Sequence, residues 1–192
     1  MAAALATLTG CGTGGASNPS TTVRSAAQRT ALVRADAIVA AVGDWARAST
    51  LSDAQAAAAR ARGLITGPDV SAFPASATAA PASVGLLPAD DGTPGLASTL
   101  ATGCVERDVL GGSWAQPRAR WGALAARIRA WRPDNNTFPQ LPSHAQRVVG
   151  WATLTLGAES LAEATEYSGH AAGHARVVRD SLRDSSAAPC SS

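Results

Sequence analysis

Ala31, Ala35, Ile38, Val42 and Trp45 recur at intervals of three and four residues, the spacing that lines one side of an α-helix. The pattern predicts a helix from about Thr21 to Arg47. A shorter, alanine-rich helix is expected from Ser52 to Arg62, with Gly63 as its stop. Residues from about 64 to 92 lose all periodicity and are rich in Pro, Ala and Ser, which predicts a long loop across one end of a bundle. Thr93-Pro94 can open a third helix, because proline suits the first helical position. Leu96, Leu100, Cys104 and Val109 would line it, and Gly111-Gly112 would close it. Trp121, Leu124, Ile128 and Trp131 give the cleanest stripe, ended by Pro133. A last long helix is expected from Ser143 towards Asp184, bent at Gly150 or Gly157.

Four Ser-x-x-Gln patterns mark where helices should begin: Ser25/Gln28, Ser52/Gln55, Ser113/Gln116 and Ser143/Gln146. In such a capping box the serine oxygen accepts from a free N–H of the first turn, and the glutamine returns to the cap N–H. Together these features predict an all-α fold, an irregular bundle of four long helices and one short helix, forming a single domain over 21–185.

Composition supports that class. Nearly a quarter of the chain is alanine, the strongest helix former, and strand-favouring residues are few. All 16 basic residues are arginine and the net charge is +2, too small to imply nucleic acid. The absence of lysine excludes a Walker A loop, a Schiff-base lysine and a Ser-Lys dyad. No GxSxG elbow occurs, and no apolar run reaches the ~18 residues needed to span a bilayer.

The segment "LTGC", Leu8-Thr9-Gly10-Cys11, resembles the lipobox of bacterial lipoproteins, in which the cysteine becomes diacylated after signal cleavage. An Ala/Leu stretch precedes it, and "GTGGASNPS" follows as a flexible tether. Residues 1–20 therefore read as a truncated or atypical lipoprotein signal with its tether. The resemblance implies lipidation at Cys11, a membrane partner through that anchor, and a place on the outer face of the cytoplasmic membrane. An envelope protein or wall polymer is the further partner expected there. With Cys11 lipidated, Cys104 and Cys190 remain as a pair outside the reducing cytoplasm, where a disulfide would tie the 186–192 tail to the middle of the chain.

One stretch carries candidate chemistry. Glu159, Glu163, Glu166, His170 and His174 fall within an arc of about 80° on the last helix, with its arginines on nearly the opposite side. If arginine marks solvent, the acid and imidazole row looks inward. Glu163, Glu166, His170 and His174 are then candidate ligands for a divalent transition metal such as zinc, with Asp36, Asp44, Glu106 or Asp108 as donors from elsewhere. Neither HExxH nor a pair of ExxH motifs is present, so zincin and di-iron chemistry are not indicated. The sequence favours a non-catalytic binding or scaffolding lipoprotein, with a metal-binding bundle as the alternative.

Overall fold

A computed structural model describes residues 24–73, 84–130 and 141–184, and among these the chain is all-helical. In chain order it forms α1 (Ala26–Ala46), α2 (Leu51–Thr66), a 3-10 turn (Leu96–Leu100), a π-helical segment (Val105–Leu110), α3 (Pro117–Ala130), α4 (His144–Leu156) and α5 (Leu161–Asp184). Helix α1 packs on α2 and α5, and α4 packs on the same two helices. The four make a closed ring around the core, and α3 lies outside it against α4.

Alanine sets how tightly the ring closes. Ala31, Ala35 and Ala41 on α1, Ala54, Ala58 and Ala61 on α2, and Ala164, Ala171 and Ala175 on α5 are all buried. Such small side chains let helix backbones approach closely, and most of the core volume comes from Trp45, Trp121, Trp151, Ile38, Ile65 and the leucines. Each large side chain withdrawn from water contributes about 1.5–3 kcal/mol. Two fully buried tryptophans also tie elements together through their ring N–H. Trp45 donates to the Ala164 carbonyl at 2.8 Å, and Trp121 to Pro88 at 2.6 Å.

The Ser25/Gln28 box closes at both ends, with Gln28 N–H donating to Ser25 Oγ at 3.2 Å and Ser25 N–H to Gln28 Oε1 at 2.8 Å. At α2 the cap is Thr50, whose hydroxyl accepts from Asp53 N–H, and Ser52 falls inside the helix. That helix continues past Gly63 to Gly67, because Leu64, Ile65 and Thr66 bury against the following loop. Gly67 then has a φ of 78°, which favours glycine. The loop is held tightly: Leu86 and Leu87 N–H groups donate to the Leu64 and Ile65 carbonyls, and both side chains are fully buried.

Two expected helices take another form. The region from Thr93 to Gly112 is one 3-10 turn followed by one π-helical segment, because Ala101 (ψ 104°) and Gly103 (φ 28°) break any continuous helix. The final helix is an αα-hairpin, α4 and α5, with the break at Gly157. Cys104 precedes the π segment and is disulfide-bonded. Cys190, its expected partner, lies outside the described residues, as do Cys11 and Trp131.

Candidate functional site

The hairpin determines which side chains meet. Residue 159 is its centre, so positions equally far on either side face one another across α4 and α5. Trp151 and Tyr167, 8 residues to each side, have ring centroids 5.6 Å apart. His144 and His174, 15 residues to each side, bring their Nδ1 atoms to 2.9 Å. Ser143 caps α4 by accepting from Gln146 N–H at 3.2 Å, which fixes His144 as the first helical residue. Two imidazole nitrogens at that distance require one to carry hydrogen and the other to offer its lone pair. Burial lowers the proton affinity of both rings. His174 falls to about 4, chiefly from burial and then from His144 beside it. His144 is lowered by burial and then by Arg147, with Asp108 acting the other way.

The π-helical segment supplies the third wall. Its i→i+5 hydrogen bonding, one residue longer than in an α-helix, is a rare geometry found often at functional sites. Here Asp108 is 8% exposed, accepting from Ser181 Oγ of α5 at 3.0 Å and from Arg107 at 2.7 and 2.9 Å. The Arg107 guanidinium is the main reason that the carboxyl titrates below the usual carboxylate range.

The predicted acid and imidazole row is divided. The buried face of α5 is Ala164, Tyr167, Ser168, Ala171, Ala175, Val178, Ser181 and Leu182, a mostly small-residue stripe that allows close packing. The row lies at its edge. Glu163 accepts from Tyr167 Oη at 2.7 Å and from the Glu159 N–H at 3.1 Å, and the pairing with Glu163 adds to burial in driving the tyrosine pKa well upward. Glu166 is exposed. His170 stacks on Trp151 with centroids 4.5 Å apart and planes 15° from parallel. Only His174 reaches another imidazole. Among the described residues no group of three or more His, Cys, Asp and Glu side chains gathers as a metal site, so Glu163, Glu166, His170 and His174 do not converge. Asp36 and Asp44, two of the other expected donors, pair instead with Arg183, and with Arg47 and Arg60.

Behind the start of α4 a cleft of about 690 Å³ opens between α3 and the residues around Gly111 and Pro142. Gln116, just before α3, and Arg120, Ala123 and Arg127 on one side of that helix line it, together with Gln146 of α4. Gln146 is 2% exposed and does not complete the expected capping box. Its Nε2 instead donates to the Leu110 carbonyl at 3.4 Å. Arg120 donates to the carbonyls of Ser113, at 3.0 Å, and Gly111, and lies 5.1 Å from the Trp114 ring centroid. Burial, then repulsion from Arg127, lowers its proton affinity.

His144 is the site residue that helical spacing missed, since that spacing compares positions only along one helix. Reading Gly157 as a hairpin turn would have found it. Arg120 and Gln146 had no comparable signal, because their meeting depends on where α3 docks. No protein-family model, no curated protein and no solved structure matches this chain.

Proposed function

We propose that the chain is a helical lipoprotein of the cell envelope, anchored through Cys11 at the outer face of the cytoplasmic membrane, with a non-catalytic binding role. The observation that carries the anchor is Leu8-Thr9-Gly10-Cys11 with the Gly/Ser-rich tether behind it. A disulfide between Cys104 and Cys190 belongs to the same reading, because thiols persist as disulfides in oxidising compartments. The cleft beside α3 supports the binding role, since its volume falls in the range of small-molecule sites, roughly 300–1,000 Å³. Mass spectrometry of the protein from native cells tests the anchor. A diacylated Cys11 at the mature N-terminus is expected, and an intact Met1 or an unlipidated Cys11 would overturn it. A non-reducing digest tests the disulfide, which is expected as a linked Cys104–Cys190 peptide pair.

Divalent-metal binding is the second reading, and the His144–His174 contact favours it over the glutamates. With metal–nitrogen bonds of about 2.0 Å at a tetrahedral angle, two imidazole nitrogens stand about 3.3 Å apart. The observed 2.9 Å needs only a small ring movement to reach that. Zinc titration of the wild type, His144→Ala and His174→Ala proteins tests it. Binding lost in both variants is expected, and equal, negligible zinc in all three would end this reading.

A further inference from the structure

We propose that the outer flank of the α1–α5 pair, at the end where Arg24 meets Arg183, is a docking face for an anionic lipid bilayer. The proposal rests on the anchor reading above and adds which side of the domain meets the membrane.

Charge is polarised along this helix pair. Arg24 donates to the Arg183 carbonyl at 2.9 Å, which joins the start of α1 to the end of α5. Trp45 and Ala164 make the matching contact at the opposite end, about 30 Å away along the helices. Arg24, Arg29, Arg176, Arg179 and Arg183 occupy the first end. The carboxylates there are Asp36, paired with Arg183, Asp180, paired with Arg179, and Asp184. An excess of two positive charges remains, equal to the net charge of the whole chain. The opposite end has Asp44, Asp53, Glu159, Glu163 and Glu166 against Arg47 and Arg60, an excess of three negative charges. Residues 1–23, 74–83 and 185–192 contain no charged side chain, and 131–140 contain one of each sign, Arg132 and Asp134. The field of an anionic bilayer acts within a Debye length, about 8 Å at physiological salt. Such a surface attracts the basic end and leaves the acidic end beyond its reach.

An apolar side chain marks the same flank. Among the described residues Val33 alone of the large apolar side chains is exposed, at 70%. Arg29 lies one helical turn before it, and Asp36 with its Arg183 partner lies nearly one turn after. A valine set between guanidinium groups fits the interfacial layer, where arginine meets phosphate and an apolar group enters the acyl boundary. On α5, Arg176 is exposed and its guanidinium makes no hydrogen bond or ion pair among the described residues, so its donors are open to a lipid phosphate.

The tether leads to the same place. Twelve residues, 12–23, separate Cys11 from Arg24. A Gly/Ser/Thr-rich segment of that length reaches about 20 Å. Anchored at Cys11, the domain is held with this end near the lipid, so a weak intrinsic affinity is sufficient for docking.

NMR of the isotope-labelled 192-residue chain, purified without lipid on Cys11, tests the face on vesicles that contain a nitroxide-labelled lipid. With about 30 mol% phosphatidylglycerol and about 20 mM salt, amides of residues 26–36 and 173–184 should relax faster. The effect should fade at about 500 mM salt and be absent on phosphatidylcholine alone. Arg176→Glu should weaken it about tenfold or more and Val33→Asp about fivefold, both with unchanged helix content because both positions are exposed. Faster relaxation confined to other surfaces, such as α3, would remove this face. So would the absence of any phosphatidylglycerol-dependent relaxation, and that result leaves the anchor to the mass spectrum of Cys11. Docking by the expected amides with Cys11 unlipidated in cells would keep the face and remove the anchor. Shifts of the same amides with dextran sulfate but not with vesicles would assign the face to an anionic polymer and overturn the membrane assignment. Broadening that grows with protein concentration in the absence of lipid would assign it to a second copy, with the same consequence.

Discussion

Acidification provides a direct test of the His144–His174 contact. His174 titrates at about 4 in the folded chain, against 6.5 for a free imidazole. Its charged surroundings are His144 and Arg147 on α4 and His170 on its own helix, while Arg107 and Asp108 on the π segment act on His144. Burial acts first, and the positive neighbours add to it. The folded chain therefore accepts a proton at this ring less readily than the unfolded chain. Between pH 6.5 and about 4 the unfolded state binds more protons, so stability falls as the pH falls through that window. Above 6.5 the contribution is fully present, and below about 4 it is lost.

The interval from 6.5 to about 4, at about 1.4 kcal/mol per pH unit, corresponds to about 3 kcal/mol. That is a large share of a domain stability of roughly 5–15 kcal/mol. Urea unfolding followed by tryptophan fluorescence, at half-unit steps from pH 7.5 to 4, gives the wild-type curve. The comparison is His174→Phe, which keeps an aromatic ring and removes the titration. The difference between the two proteins should shift by about 3 kcal/mol across the window, whatever the variant's stability at neutral pH. Parallel curves, within about 0.5 kcal/mol, would refute the reasoning. So would an NMR titration placing the His174 ring near 6.5.

Three more outcomes follow from contacts elsewhere. Trp45→Phe should cost about 1–2 kcal/mol in urea unfolding, because it removes a buried hydrogen bond to the Ala164 carbonyl between α1 and α5. Gly85→Ala should lower stability by roughly 2–4 kcal/mol, since its methyl would collide with the Ile65 carbonyl oxygen and the backbone at Thr66 and Gly67. Ser181→Ala should cost about 1 kcal/mol in the wild type and less in an Asp108→Ala background, and a double-mutant cycle measures that coupling.

Local chemistry settled much of this fold. The Ser25/Gln28 box, the Ala31-to-Trp45 stripe and the Ser143 cap are interactions within a few residues along one helix, so the chain's order of amino acids contains them entirely. Trp121, Leu124 and Ile128 likewise predict the buried side of α3. The stripe of Leu96, Leu100, Cys104 and Val109 misled, because spacings of four and five residues do not reveal that Ala101 and Gly103 adopt non-helical backbone angles. The orientation of α5 was only half legible: arginine positions such as exposed Arg176 marked water, but small residues took the core and left the imidazoles at the edge. Which groups meet was decided by tertiary structure alone. His144 reaches His174 through a turn 15 residues away, Asp108 reaches Ser181 through the π segment, and Gln146 abandons its own cap for a neighbouring carbonyl. The reason is range: capping and helical periodicity act over one or two turns, whereas a site needs atoms from separate helices within about 3 Å, and only packing fixes that.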